Sequence, residues 1–391
     1  MNKNRVKIGI YGISLLMMGV IGVSGALATI GASFPDASQT MVQNIISIPC
    51  LVVIPTTLLV GKLMDYISKK HIAIIGCILF LIGGLAPMMC GSLGLILLFR
   101  GVLGIGIGII QPVSSALVAE NFEGAEREKV QGTSTSAQML GCALMVFCGG
   151  WLATSSWEKA FAVHLLAVIS LVLVIVCLPN VSPKGASASD AKEKQMAKPR
   201  AKLTKAAWGI AFTMFALFIG GQVFSVYTAF IVSEKSLGTA TQSGNTMAFF
   251  AVGGFLLGLV YGKLASRTKS YTLSCGLALI AISYVVIGCA NAMVMIYIGA
   301  FLFGVGLSIC MPCIIVASAG SVPLEASGMA IALTMCAQNL AQFLCPYVFN
   351  PVIYALGNGH NENQLAFYIG AGITVIILLV ALVIAKKSSA K

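Results

Sequence analysis

Apolar residues fill most of the chain in runs of about 20, the length needed to cross a bilayer as a helix, and short polar clusters separate them. Twelve such runs occur, predicting spans at roughly 8–31, 40–60, 71–90, 93–118, 130–153, 159–178, 207–232, 243–262, 271–290, 293–318, 327–350 and 364–385. Most connections are a few residues long. The exception is 179–205, rich in Ser, Ala and Lys, with Pro183 and Pro199. That composition predicts a flexible linker. The expectation is an all-α membrane protein of twelve transmembrane helices in two pseudo-symmetric six-helix bundles. The first bundle is 1–178, the linker 179–205, the second bundle 206–385 and a short tail 386–391.

Backbone signals repeat between the halves. Gly61-Lys62-Leu63 ends span 2, and Gly262-Lys263-Leu264 ends span 8. Gly104, Gly106 and Pro112 of span 4 recur as Gly304, Gly306 and Pro312 of span 10, and Gln138 and Leu140 of span 5 as Gln338 and Leu340 of span 11. Both halves start on the same side, so the repeat is parallel. Two parallel halves around a midplane site are a transporter architecture.

Composition agrees. The 391 residues are 58% hydrophobic and 9% charged, against about 25% charged in soluble domains. The net charge of +12 suggests nucleic acid until the charges are placed. With the N-terminus inside, 21 of the 24 lysines and arginines fall in inner segments, only Lys159 and Lys235 fall outside, and Arg100 is left over. The positive-inside rule then puts both termini and the linker in the cytoplasm, and no nucleic-acid partner is expected. The N-terminus imitates a signal peptide, with Lys3, Arg5 and Lys7 before an apolar run and Ala26-Leu27-Ala28 after it. The run from Ile8 to Ile30 is too long for that, and reads as an uncleaved first span. The twelve cysteines are scattered singly in apolar helices, as soft packing residues. Cys310 and Cys313 have neither a second pair nor a nearby histidine, so no disulfide framework, metal or cofactor is expected.

Two motifs add identity. Gly61-Lys62-Leu63-Met64-Asp65-Tyr66-Ile67-Ser68-Lys69-Lys70 lies between spans 2 and 3, and Leu98-Phe99-Arg100-Gly101-Val102-Leu103-Gly104 lies in span 4. The first resembles the G-x-L-x-D-R-x-G-R-[RK] loop of the major facilitator superfamily, with Tyr66 in place of its arginine and Ser68 in place of its second glycine. The second resembles another motif of that family, with Leu103 where glutamine is usual. The resemblance implies a twelve-span fold and a loop contact that latches the outward-open state and breaks on inward opening. A glycine at a helix end permits close approach, and the Asp65 carboxylate suits the N-terminal dipole of span 11 near Ala326. Gly61, Asp65, Lys69, Lys70 and Glu120 are the latch candidates, with Glu120 or Glu123 pairing Lys69 or Lys70. The alternative is a solvated loop whose charges contribute little.

Arg100 is the chemical question. A charge at that depth costs roughly 2.5–3.5 kcal/mol and marks a functional site by default. It shares a helical face with Gly104, Gln111 and Ser115. Span 5 offers Thr135 and Gln138, span 7 Gln222, Ser225 and Tyr227, and span 11 Thr334, Gln338 and Gln342. Candidate substrate contacts are Arg100, Gln111, Gln138, Gln222, Tyr227 and Gln338. Arg100 has a second reading, holding neighbouring helices together, and each glutamine has one as an interhelical hydrogen bond. Spans 3, 6 and 12 are nearly bare of polar side chains and are expected to face lipid, with His164 of span 6 as a packing or interfacial residue; span 9, with Tyr284, is an exception. The glycines of span 4 follow no strand and carry no P-loop Lys-Ser/Thr, so they read as close helix packing. No motif of enzyme chemistry appears.

The expected function is a secondary transporter working by alternating access, not an enzyme. A lone arginine facing amides suits a small organic anion. Export of amphiphilic drugs in exchange for protons is the alternative, weakened because no carboxylate lies deep in a span and the proline of the family's span 5 antiporter pattern is missing. A non-transporting membrane sensor is a remote third. The expected partners are a small-molecule substrate, the lipid bilayer and a coupled proton or counter-ion, for a monomer. Short loops and small size favour a bacterial plasma membrane.

Overall fold

The computed structural model describes residues 3–64, 66–180, 203–323, 327–357 and 362–389. Asp65, Ala326 and nearly all of the linker lie outside them. Among the described residues the chain is helical, without strands, and the apolar runs become twelve spans. Span 1 is Lys3–Ser33, span 2 Gln39–Leu63, span 3 Lys69–Met89, span 4 Leu93–Asn121, span 5 Gly124–Leu152 and span 6 Glu158–Cys177. Span 7 is Lys205–Glu234, span 8 Ala240–Thr268, span 9 Thr272–Gly288, span 10 Met293–Gly320, span 11 Ser327–Leu356 and span 12 Gln364–Ser389.

The starts of several spans follow from side-chain caps. Ser38, Ser68, Ser92 and Thr204 accept hydrogen bonds from the backbone N–H three residues on, satisfying groups that a new helix leaves open. Ser68, the substituted glycine of the loop motif, therefore starts span 3. Span 1 is not the continuous helix that the sequence suggests. It runs as an α-helix to Ser14, turns, continues as a 3-10 helix over Gly19–Ala26 and resumes as an α-helix over Leu27–Ser33. Gly19, Gly22 and Gly25 weaken the α form, and the tighter winding has poorer hydrogen-bond geometry.

Spans 3, 6 and 12 show Ile75, Ile78 and Ile82, then Ile169, Val172 and Val176, then Ile376, Leu379 and Val383 on their outer faces. Span 9 joins them, because Ile282 and Val285 face out while Tyr284 points fully inward. In the first half, spans 2 and 3 pack on span 4; in the second, spans 8 and 9 pack on span 10. The halves meet along spans 2 and 11 and along spans 5 and 8, and span 1 reaches spans 7 and 8 through its Gly19–Ser33 part.

The molecule has two faces. One carries the chain ends, and the far face carries Asp36, Glu158, Lys159, Glu234 and Lys235. Contact between the halves gathers at the far face. Gly150 and Gly244 touch backbone to backbone there, and Gly25 joins Gly244. Toward the face of the chain ends, a side chain added at Gly61, Gly132, Gly258 or Gly320 would meet nothing within 4 Å.

Candidate functional site

Arg100 is fully buried, and each of its three nitrogens has a partner. Nε donates to the Ile45 carbonyl of span 2 at 2.6 Å. Nη2 donates to the Val20 carbonyl in the 3-10 part of span 1. Nη1 lies 3.2 Å from His164 Nε2 in span 6. The other imidazole nitrogen, Nδ1, is 2.8 Å from the Phe161 carbonyl. A carbonyl only accepts, so Nδ1 carries the proton and Nε2 accepts from the arginine. The Ile45 acceptor has a covalent cause. Pro49, four residues on, has no N–H, so the helix bond to Ile45 is missing. The guanidinium fills that vacancy and ties span 4 to spans 1, 2 and 6.

Of the two readings of Arg100, solute contact and a tie between neighbouring helices, the geometry here is that of the tie: backbone oxygens and an imidazole engage its nitrogens. The face it shares with Gly104, Gln111 and Ser115 is a helical face, but only its lower part opens. Gly104 sits against Pro49, where an added Cβ would come within 2.7 Å of the carbonyl. Gln111 is half-buried and Ser115 is exposed. His164 is more than packing, since it is the arginine's only side-chain partner among the described residues.

The other candidates separate. Gln111, Gln138 and Gln338 are half-buried on spans 4, 5 and 11. Gln222 is buried, and Gln222 Nε2 and Gln338 Oε1 have no hydrogen-bond partner. Thr334 is used within the second half, bonding Ser318 of span 10. Tyr227 is fully buried near the far face and donates to Asn350 Oδ1 at 2.6 Å.

Asn350 leads to residues that the sequence reading missed. Its Nδ2 donates across the seam to Thr40 Oγ1 and Gln43 Oε1 of span 2, both at 2.7 Å. Asn44 Nδ2 donates to Tyr347 OH at 2.8 Å. Gln39 Nε2 donates to Asn363 Oδ1, and Asn363 donates through N and Nδ2 to Glu234. Thr241 of span 8 donates to the Gly150 carbonyl of span 5. Gln39, Val42, Phe230, Glu234 and Asn363 also line a shallow far-face pocket of about 330 Å³. The available signal was Gln43, Asn44 and Ser47 at i, i+1 and i+4 in an apolar span, since buried polar groups in lipid need partners.

In the loop motif, Lys69 Nζ lies 2.9 Å from Glu120 Oε1, joining the start of span 3 to the end of span 4. Lys70 is half-buried, and Gly61 has open space beside it. Asp65 lies outside the described residues. Beside this loop, Glu126 takes Lys3 at 3.0 Å and Lys7 at 2.8 Å. The Lys7 ammonium, then Lys3, holds its carboxyl below the usual carboxylate range. Among the described residues no group of three His, Cys, Asp or Glu side chains is placed to hold a metal ion.

A family model described as Major Facilitator Superfamily matches residues 9–238 and 213–391. The chain is 29% identical over 116 residues to the multidrug transporter protein MdtP of Bacillus subtilis, covering 29% of this chain and 21% of that protein. It is 30% identical over 125 residues to a triacylglyceride transporter of Mycolicibacterium smegmatis, covering 31% and 22%. The matches span about a fifth of the length of these curated relatives. Among solved structures, a peptide transporter POT superposes with a TM-score of 0.76 at 13% identity, over 98% of this chain and 94% of that one. The xylose transporter XylE of E. coli gives 0.72 at 16%, over 96% and 94%. At such identities the likeness is one of fold.

Proposed function

We propose a function from one premise: the chain belongs to the Major Facilitator Superfamily, and is a multi-span membrane protein. We infer that it is a secondary transporter of the plasma membrane, working by alternating access, whose solute is an uncharged or amphiphilic organic molecule. Both termini and the linker are cytoplasmic in this reading, as the placement of lysines and arginines favours. The far face is then external, and the structure is inward-facing: shut outside, open inside.

The observation that carries the reading is the engagement of Arg100. An arginine free in a cavity favours an anion, but this one is held by Ile45, Val20 and His164. The remaining candidate contacts, Gln111, Gln138, Gln222 and Gln338, are neutral amides, which suit hydroxyl, ester and amide groups on an otherwise apolar solute. The names of MdtP, a multidrug transporter, and of the triacylglyceride transporter point to the same class. All twelve carboxylates lie in loops or near span ends, so flux is expected to be the same with and without a pH gradient. In this reading Gly61, Asp65 and Lys70 belong to the cytoplasmic latch, and the pair of Lys69 and Glu120, which joins spans 3 and 4 of one half, is formed in the inward-facing state.

A thermal-shift screen of the purified protein tests the solute class. Neutral amphiphiles should raise the melting temperature in a saturable way, and small carboxylates should not. Selective stabilisation by carboxylates would return the reading to an organic anion. Flux into proteoliposomes then distinguishes a transporter from a sensor.

A further inference from the structure

The external seam between spans 2 and 11 contains two kinds of polar group. The first kind is fully bonded. Asn350 spends both amide protons on Thr40 and Gln43, and its oxygen accepts from Tyr227. It is thus the one residue that joins spans 2, 7 and 11 through a single amide among the described residues. The second kind is orphaned. Asn44 Oδ1 and Ser47 Oγ are buried without a hydrogen-bond partner, on side chains only 6% and 0% exposed. Both belong to consecutive turns of span 2, on the side that meets span 11.

Buried polar atoms without partners are rare in native structures, because each carries its full desolvation penalty. Two on one stretch require a reason. In a seam that never opens they are a defect. In a seam that opens in every cycle, water bonds both of them in the open state, so they raise the energy of the closed state alone.

We propose that the Asn350 seam is the outer gate of the transport cycle and is balanced by design: Asn350 holds it shut, and the orphaned atoms of Asn44 and Ser47 favour its opening. This rests on the alternating-access reading above. Two opposed contributions on one seam make a two-state element whose populations shift readily. Removing either contribution moves the gate, and the two removals move it in opposite directions.

Hydrogen–deuterium exchange of the full-length protein in lipid nanodiscs reads both. Asn350→Ala should speed exchange at the external ends of spans 2 and 11, around residues 39–47 and 346–353, by roughly tenfold, as expected for losing one or two buried bonds. Ser47→Ala, which deletes an orphaned hydroxyl and nothing else, should slow exchange in the same segments. If both variants shift exchange the same way, or Ser47→Ala leaves it unchanged, the balanced gate is wrong. Should Asn350→Ala simply unfold, exchange rises along the whole chain and Ser47→Ala alone decides. The linker-side ends of spans 2 and 11 test the underlying reading separately. Opposite shifts outside with no gain of protection inside in Asn350→Ala would sustain the gate and refute alternating access.

Discussion

Arg100 shows how a covalent detail sets the role of a side chain. Pro49 frees the Ile45 carbonyl, the 3-10 part of span 1 presents the Val20 carbonyl, and His164 presents its unprotonated nitrogen. One guanidinium has the reach and the fork geometry to bond all three. Arg100→Ala leaves two carbonyls and an imidazole unbonded in the core, at a cost of roughly 3 kcal/mol or more. The variant should melt lower in a thermal-shift assay whether or not a solute is present, and Arg100→Lys should recover only part of the loss. A variant as stable as the parent, but blind to solute, would restore Arg100 to the binding site. Gly84 supports the same cluster. A Cβ there would run into the His164 ring, so Gly84→Ala should lower the melting temperature by displacing the imidazole from Arg100. Combining it with Arg100→Ala should add less than the sum of the two, because both break one network. The sequence revealed that Arg100 was deep and unpaired by any carboxylate. It hid the partners because two of the three are backbone oxygens, although Pro49, four residues after Ile45, was the visible clue.

At the scale of elements, the spans were legible because apolar length is a strong signal, and their interruptions were not. The break in span 1 depends on Gly22 and Gly25 finding close neighbours in spans 5 and 8, which no local pattern records. Prolines are legible in retrospect. Pro112 leaves the Gly108 carbonyl without its helix partner, and Thr57 of span 2 donates to it at 3.2 Å, as Arg100 does for Pro49. The first turn of span 1 is fixed differently, by Glu126 between Lys3 and Lys7. The lowered pKa of Glu126 sets the sign of its pH dependence. The contribution is present above the unfolded carboxylate value and is lost as pH falls through the lower folded one. Glu126→Gln should therefore exchange its N-terminal amides faster than the parent at pH 7. That difference should shrink at high salt, and should disappear when both are compared in acid below the folded pKa.

At the scale of the whole molecule, the repeat read from Gly104 and Gly304 is one packing solution used twice. Gly104 admits the backbone of Pro49 in span 2, and Gly304 admits the backbone of Phe250 in span 8. Spans 5 and 8 carry the consequence for motion. Gly150 and Gly244 are in contact at the external end. At 100° per residue, Gly132 lies five full turns before Gly150 on the same face of span 5, and Gly258 lies within about 40° of Gly244's face on span 8. Glycines thus occupy the facing sides of this crossing at both ends, touching at one end and open at the other. Rocking the halves about the middle would exchange the two contacts, bringing Gly132 and Gly258 together when Gly150 and Gly244 part. Gly258→Leu and Gly132→Leu should then fold normally, because nothing lies within 4 Å of either site in this state, and a leucine in a helix is more favourable than a glycine by up to about 1 kcal/mol. Both should nevertheless abolish flux in proteoliposomes, by blocking closure of the cytoplasmic side, while solute still shifts the melting temperature. Gly244→Leu should do the reverse, forcing the external ends of spans 5 and 8 apart and speeding amide exchange near residues 146–152 and 240–247. Full flux in Gly258→Leu and Gly132→Leu would mean that spans 5 and 8 do not meet at their inner ends, and the pivot would have to lie elsewhere.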